Sequence, residues 1–187
     1  MAIERRPLGR TGTDVTILGY GAMELRGQPR GPAITDEAVG QVLNAVLDAG
    51  INLIDTSVDY GRSEELIGRY LGHRRDEYFL ASKCGCPLDL PADTPPPYPH
   101  DYRPANVRAG VEQSLRRLGT DRLDLVQVHM SPSRDQLEQG HPGLSSTIVG
   151  TANPEHLRAN LAVAGRGPLP GDLYAEALRR LPAPAGR

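Results

Sequence analysis

Four residues, Asp55, Tyr60, Lys83 and His129, carry side chains that together fit one reaction. That reaction is delivery of a proton to a carbonyl oxygen whose carbon is taking up a hydride. A tyrosine phenol titrates near ~10 and is a weak acid at neutral pH unless a nearby cation favours its phenolate. In this reading Lys83 supplies the cation, Asp55 keeps Lys83 charged and in place, and His129 donates a hydrogen bond that orients the substrate oxygen. No side chain carries a hydride, so a cofactor must bring it. Taken singly, each residue has a blander reading: a turn aspartate, a packing tyrosine, a solvated lysine and a satisfied histidine. Their occurrence in one order at successive strand ends favours the chemical one.

The elements that must position them follow from periodicity. Asp55 closes the apolar run "INLI", Lys83 closes "FLAS" and His129 closes "LDLVQV", which predicts strands over 51–55, 78–83 and 123–129. Tyr60 lies just past the first of these. In parallel barrels the site gathers at the carboxyl ends of the strands, so the four residues are expected to share one mouth. Further strands are predicted over 14–23, where "DVTILGYGAM" runs into a glycine turn, and over 144–150. Helical spacing predicts a helix between Thr35 as cap and Gly50, with Val39, Val42, Leu43, Val46 and Leu47 on its apolar face. Another opens on Ser63 and runs over 63–71, and a third starts at Pro104 with the stripe Val107, Val111, Leu115 and Leu118. Asn153 with Pro154 caps a fourth, and a last one is expected over 172–181. Strands alternating with helices argue for βαβ units and a parallel sheet in a single domain, 1–187, with 182–187 as a frayed tail.

Composition removes several classes of function. A net charge of −2 without a basic block gives no footprint for nucleic acid or an anionic membrane surface. No window approaches the ~20 apolar residues of a membrane span, and the charged start "MAIERRPLGRTG" lacks an apolar core, so a cytoplasmic protein is expected. Cys84 and Cys86, one residue apart, suit neither a disulfide framework nor a four-ligand zinc site and read as reduced thiols. His100, His129 and His141 lack metal-ligand spacing, and no metal site is expected. "GYGAME" lacks the third glycine of a dinucleotide-binding fingerprint.

The segments "LGYGAM", "INLIDTSVDYG", "SEELIGRYL", "FLASK", "SLRRLGTDRLDLVQVH" and "TIVGTANPEHLRANL", in this order, resemble the aldo-keto reductase family. The resemblance implies a (β/α)8 TIM-type barrel that reduces a small aldehyde or ketone with a nicotinamide cofactor, NADPH or alternatively NADH. It carries the catalytic set onto Asp55, Tyr60, Lys83 and His129, with Tyr60 as proton donor. It also implies cofactor contacts at Gly21, Ala22, Met23 and Asp55, and a grip on the adenosine end by Gly150, Thr151, Asn153, His156 and Asn160. Gly150 and His156 stand where many relatives place a cation for the 2′-phosphate, which leaves Arg158 as a substitute.

The chain departs from that pattern in length. About five strands are predicted where a barrel has eight in roughly 250 residues. After His129, "MSPSRDQLEQGHPG" passes directly to the segment that resembles the last strand, so strands five to seven are expected to be missing. The fold expected is therefore an incomplete (β/α)8 barrel with exposed edges. Either the last strand pairs beside His129, or chains associate as a homo-oligomer that covers the edges, or the product is a weakly stable remnant. The alternative function is accordingly a non-catalytic remnant that binds nucleotide or a protein partner.

Overall fold

The computed structural model describes residues 3–89, 91, 94, 100–101, 104–129, 147–150 and 153–164. The predicted helix over 172–181 and the tail lie outside the described residues. Five parallel strands form one sheet: β3 (Leu18–Gly21), β4 (Leu53–Asp55), β5 (Phe79–Cys84), β6 (Leu125–Val128) and β7 (Thr147–Gly150). Their spatial order is β6-β5-β4-β3-β7. The last strand thus pairs with β3, in register from Leu18↔Thr147 to Gly21↔Gly150, and not beside His129. β6 and β7 stand at opposite edges, and the described strands do not close into a ring.

The helices end where local chemistry says they should. α1 (Asp36–Asp48) begins at Thr35, whose hydroxyl accepts from the Ala38 amide at 3.2 Å, and Gly50 beyond its end takes φ +86°. α2 (Ser63–Leu71) has the predicted bounds, and α3 (Pro104–Leu118) stops before Gly119 at φ +62°. In α4 (Pro154–Ala164), the Asn153 side chain accepts from the Glu155 amide at 2.8 Å. The face of α3 that packs inward differs from the apolar stripe. Gly110, Ser114 and Leu118 are buried, while Val107, Val111 and Leu115 are only half-buried. The cause is that α3 meets a polar seam on β5 and α2, where Ser82, Ser114 and Glu64 converge.

Strand alternation sorts the sheet into two faces. Tyr20, Ile54 and Leu80 lie in register across β3, β4 and β5 and pack against Val39, Val42, Leu43 and Val46 of α1 and Leu66, Ile67 and Leu71 of α2. Leu157 of α4 joins the same core. The opposite face grades along the strands. At their starts, Leu53 and Phe79 form a small cluster with Val15 and the half-buried Leu125 and Leu8. At their ends stand Asp55, Lys83 and Gln127, with His129 two residues further on.

The apolar starts are covered by an element that the sequence pattern hides. β1 (Arg5–Pro7) and β2 (Asp14–Thr16) form an antiparallel hairpin, so the single strand predicted over 14–23 is two, β2 and β3. Asn52 fastens the hairpin to β4: its side-chain oxygen accepts from the Thr16 amide at 2.7 Å and its amide nitrogen donates to the Asp14 carbonyl at 2.9 Å.

Behind the sheet, Glu64 of α2 is fully buried and accepts from the Ser82 hydroxyl at 2.8 Å, with Arg117 at 3.6 Å. Burial raises its pKa above the ordinary 4.5, against the lowering effect of Ser114, Ser82 and Arg117. A raised folded pKa means that the native state holds this proton to higher pH than the unfolded chain does. The stability it contributes is complete below the unfolded value and is lost as pH rises through the folded one. Glu64→Gln is therefore expected to flatten the decline in unfolding free energy as pH rises above the ordinary carboxylate range, measured by urea denaturation at several pH values. An unchanged slope would mean that Glu64 does not titrate in that range.

Candidate active site

The four residues singled out by type do converge. Asp55, 7% exposed, ends β4 and lies in register with Gly21 of β3 on one side and Ala81 of β5 on the other. The Lys83 ammonium donates to the Asp55 carboxylate in a short ion pair and to the Thr56 carbonyl at 2.8 Å. It also sits 4.7 Å from the centroid of the Tyr60 ring, a cation–π distance. The His129 and Tyr60 rings meet edge to face, 5.7 Å between centroids.

The loop from Thr56 to Gly61 sets the tyrosine. The Thr56 amide donates to the Ala81 carbonyl at 2.8 Å and the Tyr60 amide to the Ser57 carbonyl at 3.0 Å, while the Ser63 amide bonds the Tyr60 carbonyl at 2.8 Å. Arg30 clamps the loop from outside through the Asp59 side chain at 3.1 Å and its carbonyl at 2.8 Å. Gly61 has φ +49°, and a Cβ there would lie 2.6 Å from the Arg26 carbonyl oxygen. Only glycine gives the chain both the left-handed turn and the close pass that follow Tyr60.

Four further side chains shape the site without having been singled out for it. Gln127 donates to the second Asp55 oxygen at 2.6 Å, so the carboxylate is held on both sides. The pattern contained this signal, because Gln127 stands two residues before His129 and projects from the same strand face. Cys86 Sγ lies 2.9 Å from His129 Nδ1, and the Ser57 hydroxyl lies 3.5 Å from the same nitrogen. Burial pushes the Cys86 thiol up to about 11, so at neutral pH it is protonated and donates to Nδ1. Burial, with Lys83 adding to it, lowers the His129 pKa below 6.5. The ring is then neutral with its proton on Nε2, a hydrogen-bond donor directed away from the thiol. The fourth is His100, whose ring meets His129 edge to face with centroids 5.5 Å apart.

The residues expected to hold a cofactor are placed less evenly. Gly21 and Gly150 are register partners at the strand ends beside Asp55, which leaves a stretch of mouth free of side chains. Met23 is exposed, whereas Ala22 is fully buried and its carbonyl accepts from the Ser63 hydroxyl at 2.9 Å. Asn153 caps α4, and His156 lies exposed in its first turns. Thr151 lies outside the described residues, and Asn160 is described as part of α4 only. Arg158, largely exposed, has Glu155 as an ion-pair partner at 4.0 Å.

The model of the Aldo/keto reductase family matches residues 17–140. The uncharacterized oxidoreductase YqkF of Bacillus subtilis is 32% identical over 139 residues, which are 73% of this chain and 42% of that protein. L-galactose dehydrogenase of Arabidopsis thaliana is 36% identical over 132 residues, 68% of this chain and 38% of its own. Among solved structures, an aldo-keto reductase of Bacillus halodurans in its holo form aligns with a TM-score of 0.60 at 27% identity, covering 84% of this chain and 53% of that one. Matches to these two curated relatives thus span about two-fifths of their length.

Proposed function

This chain belongs to the aldo/keto reductase family, and we propose that it is an NAD(P)H-dependent oxidoreductase that reduces an aldehyde or ketone to an alcohol. Its parallel sheet with flanking helices is an incomplete barrel of the TIM type. The observation that carries the proposal is the Lys83 ammonium, paired with Asp55 and seated against the Tyr60 ring, with His129 edge to face with the same ring. A bound reduced nicotinamide supplies the hydride. Tyr60 gives its hydroxyl proton to the substrate oxygen, and the negative charge left on the phenol is stabilised by Lys83. Asp55, gripped by Gln127, keeps the ammonium in that position. His129 donates from Nε2 to the same substrate oxygen and so fixes which carbonyl face meets the cofactor.

The chain's own residues fit such a cofactor at two places. The glycine pair Gly21 and Gly150 admits a flat ring or a phosphate close to the backbone, beside Met23 and Asp55. The first turn of α4, entered through Asn153, offers the amides and the positive dipole end that favour a phosphate, with Thr151, His156 and Asn160 expected around the adenosine. Arg158 is the cation available to a 2′-phosphate, and on that basis NADPH is preferred with NADH as the alternative.

Fluorescence titration of the full chain is expected to show saturable NADPH binding that is tighter than NADH binding, and Arg158→Ala is expected to narrow the difference. No saturable binding of either nucleotide would overturn the cofactor assignment. The open strand edges favour a second reading, a nucleotide- or partner-binding protein without turnover, assembled as a homo-oligomer over those edges. Carbonyl-dependent NADPH oxidation by a homogeneous sample would exclude it.

A further inference from the structure

We propose that Cys86, His100 and His129 form a binding site for a single borderline-soft divalent metal ion, of which zinc is the fitting case. The three ligand atoms lie within 4.8 Å of one another, and Cys86 Sγ and His129 Nδ1 are 2.9 Å apart. Zinc bonds of about 2.3 Å to sulfur and 2.0–2.1 Å to nitrogen put tetrahedral ligand atoms about 3.3–3.6 Å from each other. The observed spacings bracket that range, so side-chain rotation of an ångström or so closes the set around an ion. One thiolate and two imidazoles are a donor set that zinc prefers over magnesium or calcium, which take oxygen ligands.

The ligands are held by hydrogen bonds that lie outside the sheet ladder and the helical turns. The Asp101 amide donates to the Gly85 carbonyl at 2.8 Å, which brings His100 alongside Cys86. Asn106 of α3 bridges the same two segments, donating to the Cys86 carbonyl at 3.2 Å and the Asp101 carbonyl at 2.7 Å. The His129 amide donates to the Cys84 carbonyl at 3.0 Å and fixes the third ligand against β5. The cluster is thus assembled from the end of β5, the segment before α3 and the end of β6. Convergence in space replaces the ligand spacing that the sequence lacks.

With three protein ligands, a tetrahedral ion keeps a fourth position for water or another small ligand. Binding exchanges the thiol proton for the metal: Sγ–H breaks, Sγ–Zn forms, and the proton passes to solvent. His129 coordinates through Nδ1, the nitrogen that faces Sγ, and retains its proton on Nε2.

The test is cobalt(II) and zinc titration of the full, reduced chain. Cobalt is expected to bind one per chain, with a thiolate-to-metal charge-transfer band and tetrahedral ligand-field bands. Zinc is expected to displace it and to raise the thermal midpoint. Cys86→Ser should remove the charge-transfer band. His100→Gln should weaken binding by more than about tenfold, because altering even a residue that only hydrogen-bonds a ligand costs about 10- to 100-fold. Absence of the charge-transfer band in the wild-type chain, or wild-type affinity in His100→Gln, would overturn the site. Neither readout depends on turnover, so failure of the reductase reading leaves this test intact.

Discussion

Tyr60→Phe is expected to lower carbonyl-dependent NADPH oxidation by about 10²–10⁴-fold while leaving nucleotide affinity unchanged. The substitution removes one oxygen and its proton and nothing else of the ring. The phenyl face remains for Lys83 at its 4.7 Å stacking distance, and the edge contact with His129 remains as well. Stability should therefore hold, and a fall in rate reports the lost proton rather than a collapsed mouth. Two neighbouring donors are already engaged: the Cys86 proton is committed to His129 Nδ1, and the Lys83 ammonium is committed to Asp55 and the Thr56 carbonyl. An unchanged rate would mean that another group, His129 foremost, delivers the proton.

The convergence of Asp55, Tyr60, Lys83 and His129 is legible in the sequence because three strands end on polar residues that a buried strand would otherwise exclude. Helix α2 was legible to the residue, since Ser63, two glutamates and Gly72 punctuate it. The terminal hairpin was not. β1 is three exposed residues, two arginines and a proline, and carries no alternation to read. The inward face of α3 was misread for a different reason. Gly110 and Ser114 look neutral in an apolar pattern, yet they are what lets the helix sit against the Glu64 seam. The Cys86, His100 and His129 cluster depends on turn hydrogen bonds such as Asp101 to Gly85, and no local pattern encodes them.

Pairing of the last strand with β3 bears on the departure from family length. Gly150 comes beside Gly21, so both glycines lie at one mouth with Asp55. A last strand beside β6 would instead have placed Gly150 three strands away from Asp55, beyond Lys83 and apart from Gly21. The order seen keeps the proposed cofactor side and the proton-donating side adjacent, although the described strands leave both edges open.

Lys83→Met is expected to cost about 3–5 kcal/mol of unfolding free energy, a large share of the 5–15 kcal/mol typical of a domain, and to abolish reduction. Methionine keeps the stem's volume, so the cost comes from the partner left behind. The Asp55 carboxylate would lose its cation in a central strand, with its side chain 10% exposed and, among the described residues, Gln127 as its remaining side-chain partner. Adding Asp55→Asn removes that stranded charge, and the double variant should regain most of the lost stability, read from urea midpoints, because deleting both members of a buried pair is often nearly neutral. Its activity should not return. A pair kept for folding would show the reverse dependence, with the double variant no more stable than Lys83→Met alone, and that outcome would sink the argument. Recovery of stability without recovery of turnover would locate the value of the ion pair in the charge that Lys83 presents to Tyr60.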